Sequence, residues 1–313
     1  MANIHTRDGT KLYVKDWGSG RPVILIHGWP LSADSFDDQA KAIADAGMRA
    51  ISYDRRGFGR SDQPFGGYDY DTFADDLADV MEATGASENV ALVGFSMGGG
   101  EVARYMSRHG GRGVTQAAFV SSVVPHLLQS SDNPDGVPQA QLETMTEQMQ
   151  ADRADFFRTF FKDFYGIGML SHPVSQAQAD ASWNVAMQAS LQGTLKSAEA
   201  FGTTNFMADL PSITVPTLII HGTADNTVPI DATARPLAKA LPNATLLEYD
   251  GAPHGLFASH KERFTNDLLG FLQADASGSA FNFSRNETSD SGDKIASLDL
   301  TNTTSESSPR PTY

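Results

Sequence analysis

Four consecutive apolar residues, Val90 to Val93, run straight into Gly94-Phe95-Ser96-Met97-Gly98, and a helix-like pattern, Glu101 to Met106, follows. A short apolar run bounded by glycine reads as a buried strand. The Gly-x-Ser-x-Gly spelling belongs to a sharp turn that takes a strand directly into a helix. The serine is held on that strained turn with its hydroxyl pointing outward. The flanking positions need glycine, because backbone packs on backbone there and a side chain would clash. By itself the pentapeptide is only a moderate signal in a chain with 28 glycines. The strand before it and the helix after it give it weight.

The same grammar recurs along the chain. Lys11 to Val14 follows Asp8-Gly9 and predicts an N-terminal hairpin. Val23 to Ile26 ends in His27-Gly28, and Ala50 to Tyr53 ends in Asp54-Arg55-Arg56-Gly57. Ala117 to Val120 ends in Ser121-Ser122, and Thr217 to Ile220 ends in His221-Gly222. Thr245 to Tyr249 ends in Asp250-Gly251. Short, wholly apolar strands imply burial on both faces, as in a parallel sheet covered by helices. Helical patterns at Tyr70 to Thr84 and Ala232 to Leu241 alternate with them, which predicts an α/β fold with right-handed crossovers.

The alternation stops between residues 125 and 210, where the pattern is helical and no strand is evident. Residues 1–124 and 211–274 therefore read as the α/β core and 125–210 as a helical cap. Within the cap, Phe157, Phe160, Phe161 and Phe164 recur at helical spacing and make one apolar face. Packing onto the sheet domain accounts for such a face; roofing an acyl or aryl pocket is its functional reading. Residues 275–313 are rich in Ser, Thr, Asn and Asp and poor in apolar side chains. Such a segment cannot bury enough surface to offset its ordering entropy and is expected to be a disordered tail beyond a final helix, Phe264 to Gln273.

The formal net charge of −15 argues against a nucleic-acid surface, which needs a basic patch. The absence of cysteine excludes disulfides, thiolate catalysis and cysteine-ligated metals. The polar N-terminal residues carry no secretory pattern, and no apolar run reaches membrane-spanning length, so a cytoplasmic protein without a membrane partner is expected. A homo-oligomer stays open.

A serine hydroxyl is a weak nucleophile at neutral pH and needs a base within reach, which in turn needs an orienting acid. On a strand–turn–helix serine the partners follow in the order Ser, Asp or Glu, then His. Each should fall at the carboxyl end of a strand. His5, His27 and His221 come too early or at the wrong strand ends, and His109, His126 and His172 precede any suitable acid. His260 starts a charged helix, which leaves His254, just past the last strand. Asp225 follows the penultimate strand and becomes the acid; Asp250 is too close to His254 along the same strand end. Two backbone N–H groups are needed where negative charge develops on the substrate. Met97 should give one and Trp29 the other, since Pro30 has no N–H to offer. The Pro30 ring also restrains Trp29 and fixes the direction of its carbonyl. His27 reads as structural.

With these residues placed, the chain resembles the α/β-hydrolase superfamily, and within it the cofactor-free (non-haem) haloperoxidase, or perhydrolase, and aryl esterase family. The likeness rests on His27-Gly28-Trp29-Pro30, Asp54-Arg55-Arg56-Gly57-Phe58-Gly59-Arg60-Ser61, Ser96-Met97-Gly98-Gly99-Gly100-Glu101 and His221-Gly222-Thr223-Ala224-Asp225. The resemblance implies a mostly parallel eight-stranded sheet with helices on both faces and a helical cap. It implies esterase activity on small acyl and aryl esters, and perhydrolysis, in which hydrogen peroxide replaces water and a peracid results. The partners it implies are a small ester or carboxylic acid plus H2O2, with neither cofactor nor metal. Pro30, Phe157, Phe161 and Val228 are the expected pocket residues. Lactonase, amidase and carbon–carbon bond hydrolase chemistry share this triad and stay open, as does a ligand receptor on the same fold. Epoxide hydrolases and haloalkane dehalogenases use an aspartate where this chain has Ser96.

Overall fold

A computed structural model of the chain describes residues 2–274; the expected tail, 275–313, lies outside the described residues. The strands are β1 (Ala2–His5), β2 (Lys11–Gly18), β3 (Pro22–Ile26), β4 (Arg49–Tyr53), β5 (Val90–Phe95), β6 (Val114–Val120), β7 (Thr217–Gly222) and β8 (Ala244–Tyr249). They form one sheet in the order β1-β2-β4-β3-β5-β6-β7-β8. Only the β1–β2 and β2–β4 pairings are antiparallel; every later neighbour is parallel. β5 lies in the middle of the sheet and is buried along its whole length, as its apolar run requires. Among the described residues β8 pairs with β7 alone, and Thr245 and Glu248 on it are exposed. An edge strand is covered on fewer sides than a central one, so it tolerates polar positions.

Helices α1 (Asp37–Asp45), α2 (Tyr70–Thr84), α3 (Met97–Arg108), α7 (Ala234–Ala240), α8 (Leu256–Ser259) and α9 (Lys261–Gln273) accompany the sheet. α2 packs on α3 and α1 on α9, which covers the two faces. The bounds of α2 are those its sequence predicts, because both ends are signalled. Asp69 caps the start by accepting from the Thr72 N–H at 2.9 Å, and Gly85 ends it in a left-handed conformation (φ 66°).

Between β6 and β7 lie α4 (Gln139–Tyr165), α5 (Gln176–Gln188) and α6 (Leu191–Thr203). β6 and β7 are neighbours in the sheet, so this segment leaves and re-enters at the same edge. The aromatic pattern foretold only the second half of α4. Asp152 (φ −154°, ψ 92°) interrupts the helix, and its carboxylate restarts it by accepting from the Asp155 N–H at 3.0 Å. Phe157, Phe161 and Phe164 are buried, and the Phe164 ring sits 5.0 Å from that of His254 and 6.0 Å from that of Phe95.

Candidate active site

Ser96 stands between β5 and α3 with φ 54° and ψ −119°, a conformation that a non-glycine residue adopts only where its surroundings impose it. The glycines around it are required by space. A Cβ on Gly94 would lie 2.5 Å from the Gly98 carbonyl oxygen, and one on Gly98 would lie 2.4 Å from the Ile26 carbonyl oxygen. Ser96 thus presents its Oγ at the carboxyl end of the central strand.

Three residues far apart in the chain meet there. His254 Nε2 lies 2.9 Å from Ser96 Oγ, and His254 Nδ1 lies 2.7 Å from Asp225 Oδ2. All three side chains are buried. Asp225 Oδ1 accepts from the N–H groups of Thr227 (3.0 Å) and Val228 (2.8 Å), so the carboxylate also closes its own turn. Burial alone would push the Asp225 carboxyl up, but His254 and His221 outweigh it and hold it below the usual carboxylate range. Asp225 is therefore ionised at neutral pH. Its contacts to Nδ1 leave Nε2 of His254 free to act as acceptor for the serine proton, the relay a weak nucleophile needs.

His221 has a part that chain order did not reveal. Order rules it out as the base, because it precedes the acid. The fold places its Nε2 3.3 Å from Asp225 Oδ2 and 2.8 Å from the Val228 carbonyl oxygen. It braces the same carboxylate oxygen that meets His254, and the turn that carries it.

Met97 opens α3, where the first N–H groups have no intrahelical acceptor. The loop from His27 passes directly beside the serine. A Cβ on Gly28 would sit 2.9 Å from that of Ser96. Below this loop lies a buried polar platform. The Arg55 N–H donates to His27 Nε2 (3.0 Å), which leaves the proton on Nδ1, and that N–H donates to the Gly28 carbonyl (2.9 Å). Burial and the Arg55 guanidinium push the His27 imidazole well below its ordinary range, so it stays neutral. Arg55 Nη2 donates to the His27 carbonyl at 2.7 Å, and the Arg55 guanidinium pairs with the Glu101 carboxylate of α3. Tyr53 donates its hydroxyl to the same carboxylate at 2.6 Å. His27 is held within this buried network on both ring nitrogens and its carbonyl.

A cavity of about 600 Å³ opens over Ser96 and His254. Trp29, Val123, Phe156, Phe160, Phe201 and Val228 give it apolar walls. Its size falls within the range of small-molecule sites. The Trp29 indole is wedged among Phe156, Phe157, Phe160 and Phe201, and its N–H donates to the Thr194 carbonyl of α6 at 3.0 Å. Of the expected pocket residues, Val228 lines the cavity. Pro30, Phe157 and Phe161 do not: all three are buried behind its wall. For the two phenylalanines the reason is helical phase. The most apolar stripe of α4 turns inward to the core, and Phe156 and Phe160 at its edge form the wall. Val123, just past β6, and Phe201 on α6 carry no sequence signal beyond being apolar. Among the described residues, no group of three or more His, Cys, Asp or Glu could hold a metal ion, and no helix is long and apolar enough to cross a membrane.

A strand–serine–helix turn at the centre of a mostly parallel sheet, with acid and histidine on the last two loops, defines a class of fold and site. The chain belongs to the alpha/beta hydrolase fold family, whose family model matches residues 21–261. Within that family its relatives are more specific. The non-heme chloroperoxidase CPO-A1 of Kitasatospora aureofaciens is 44% identical over 269 residues, which cover 85% of this chain and 98% of that protein. The bifunctional esterase/perhydrolase DCH of Acinetobacter calcoaceticus is 36% identical over 277 residues, covering 88% and 100%. The crystal structure of a bromoperoxidase from Bacillus anthracis matches with a TM-score of 0.84 at 43% identity, over 87% of this chain and 99% of that one.

Proposed function

We propose that this chain is a serine esterase that works through an acyl-enzyme and also performs perhydrolysis. Ser96 Oγ attacks the carbonyl carbon of a small acyl or aryl ester while His254 Nε2 takes its proton. Asp225 holds the imidazole and stabilises the imidazolium that forms. The Met97 and Trp29 N–H groups receive the tetrahedral oxyanion. His254 then returns the proton to the leaving alcohol. In the second half water attacks the acyl carbon and releases the acid, or hydrogen peroxide attacks and releases the peracid. From a carboxylic acid and H2O2 the products are peracid and water, and the peracid oxidises halide outside the site. In this reading residues 125–210 cap a core made of 1–124 and 211–274. The protein acts in the cytoplasm on small molecules without a cofactor.

The observation that carries the reading is the continuous relay Asp225–His254–Ser96 opening onto an apolar cavity. The names of the relatives support the perhydrolase half. Phenyl acetate cleavage tests the first half. Acetate, peroxide and bromide with a halogenation reporter test the second, and ester cleavage without halogenation would leave a plain esterase.

Pro30 bears on the balance between water and peroxide. A Trp29 carbonyl held in one direction offers an acceptor to peroxide in the acyl-enzyme. Pro30→Leu frees that direction and is expected to lower the ratio of perhydrolysis to hydrolysis by roughly 2- to 12-fold, the effect of one hydrogen bond worth about 0.5–1.5 kcal/mol. Parallel rates of peracid and acid formation measure it; an unchanged ratio counts against the role.

A further inference from the structure

A second cavity of about 600 Å³ lies between the first half of α4 and α6. Leu128, Leu195, Ala198 and Gly202 contribute apolar walls and Glu143, Glu147, Lys196 and Glu199 charged ones, and Ser96 and His254 do not line it. Leu142 and Met145 line both cavities. Three residues apart on a helix, they stand side by side on one face. On the side of α4 that faces α6, Leu142 and Met145 thus stand where the volume over Ser96 meets the volume beyond. Leu142 rests on α6 at Gly202: a Cβ there would lie 3.0 Å from Leu142 Cδ1. Glycine inside a helix costs about 1 kcal/mol relative to alanine, so its presence there fits a packing need.

We infer that Leu142 and Met145 form the partition that limits acyl length in this enzyme, and that the second cavity is a latent compartment for longer chains. The inference rests on the serine esterase reading of the first cavity. Short acyl groups fit above Ser96. An acyl chain that outgrows the first cavity meets the two side chains end-on, and beyond them is further space walled in part by leucine, alanine and glycine. Opening the partition adds that space without touching the serine, the histidine or the donors to the oxyanion.

The test uses p-nitrophenyl acetate, butanoate, octanoate and decanoate as substrates. The wild-type chain should prefer the two short esters. In the Leu142→Ala, Met145→Ala double variant the octanoate-to-acetate ratio of kcat/KM should rise by about tenfold or more, the discrimination that a few methylenes carry in an apolar pocket. Gly202→Leu in that background refills the second cavity from α6 and should bring the ratio back toward wild type. That reversal separates a true compartment from a general loosening of α4, which would help long esters whatever residue stands at 202. An unchanged ratio overturns the partition, as does a wild type that cleaves decanoate as well as acetate. Failure of the esterase reading shows differently, as no turnover of any ester. The partition is then read by decanoate binding to the Ser96→Ala protein, with and without the double substitution: tighter binding upholds it, and equal binding overturns it.

Discussion

Replacing Ser96 with alanine is expected to lower kcat on phenyl acetate by about 10⁴- to 10⁶-fold and to remove halogenation in the acetate–peroxide–bromide assay to the same extent. The loss is large because the members of a triad act as a unit. Without the hydroxyl no acyl-enzyme forms, and only the oxyanion donors and substrate positioning remain. The fold should survive. Serine already holds φ 54° at this turn, and alanine meets the same backbone strain, so the change removes one hydroxyl and its 2.9 Å contact to His254. Circular dichroism and a melting curve alongside the kinetics separate lost chemistry from lost structure. Ester cleavage within tenfold of wild type would sink the nucleophile assignment. Halogenation that persisted while ester cleavage vanished would mean that the oxidant arises elsewhere.

How much of this was legible beforehand differs by region, for physical reasons. Strands buried on both faces spell themselves as apolar runs, so the sheet from β3 to β7 could be read directly. α2 could be bounded because Asp69 and Gly85 mark its ends chemically. Ser96 was legible because its turn constrains its neighbours, and Asp225 and His254 because chain order and strand ends leave few candidates. The cap was harder. The first half of α4 carries Gln, Glu and Thr around Leu142, Met145 and Met149, too few apolar residues to announce a face. The break at Asp152 has no glycine or proline to signal it. Helical spacing showed that the α4 phenylalanines share a face but not which edge of it meets the cavity, and the expected Phe157 and Phe161 gave way to Phe156 and Phe160. The role of His221 was hidden for another reason: it depends on a turn, 225–228, whose geometry brings a carboxylate back onto its own strand end.

The charged pair under the His27 loop gives the second large effect. Glu101→Ala is expected to destabilise the protein by about 3–5 kcal/mol, because it strands the Arg55 guanidinium in the interior without its counter-charge. Arg55 is 1% exposed and Glu101 0%, so water cannot compensate. For a domain of this size the shift in Tm is about 6–20 °C. The Tyr53 hydroxyl loses its acceptor in the same stroke. Glu101→Gln keeps an acceptor for Tyr53 and loses only the charge, so it should fall between wild type and Glu101→Ala. Arg55→Met added to Glu101→Ala removes the stranded charge and should recover part of the loss. Recovery is incomplete, because Arg55 also donates to the His27 carbonyl and so holds the loop beside Ser96. Stability and function then part company in a measurable way: the double variant regains urea resistance more fully than it regains kcat on phenyl acetate. A Glu101→Ala protein within about 1 kcal/mol of wild type in urea unfolding would show that the pair is not what anchors β4 and the His27 loop to α3.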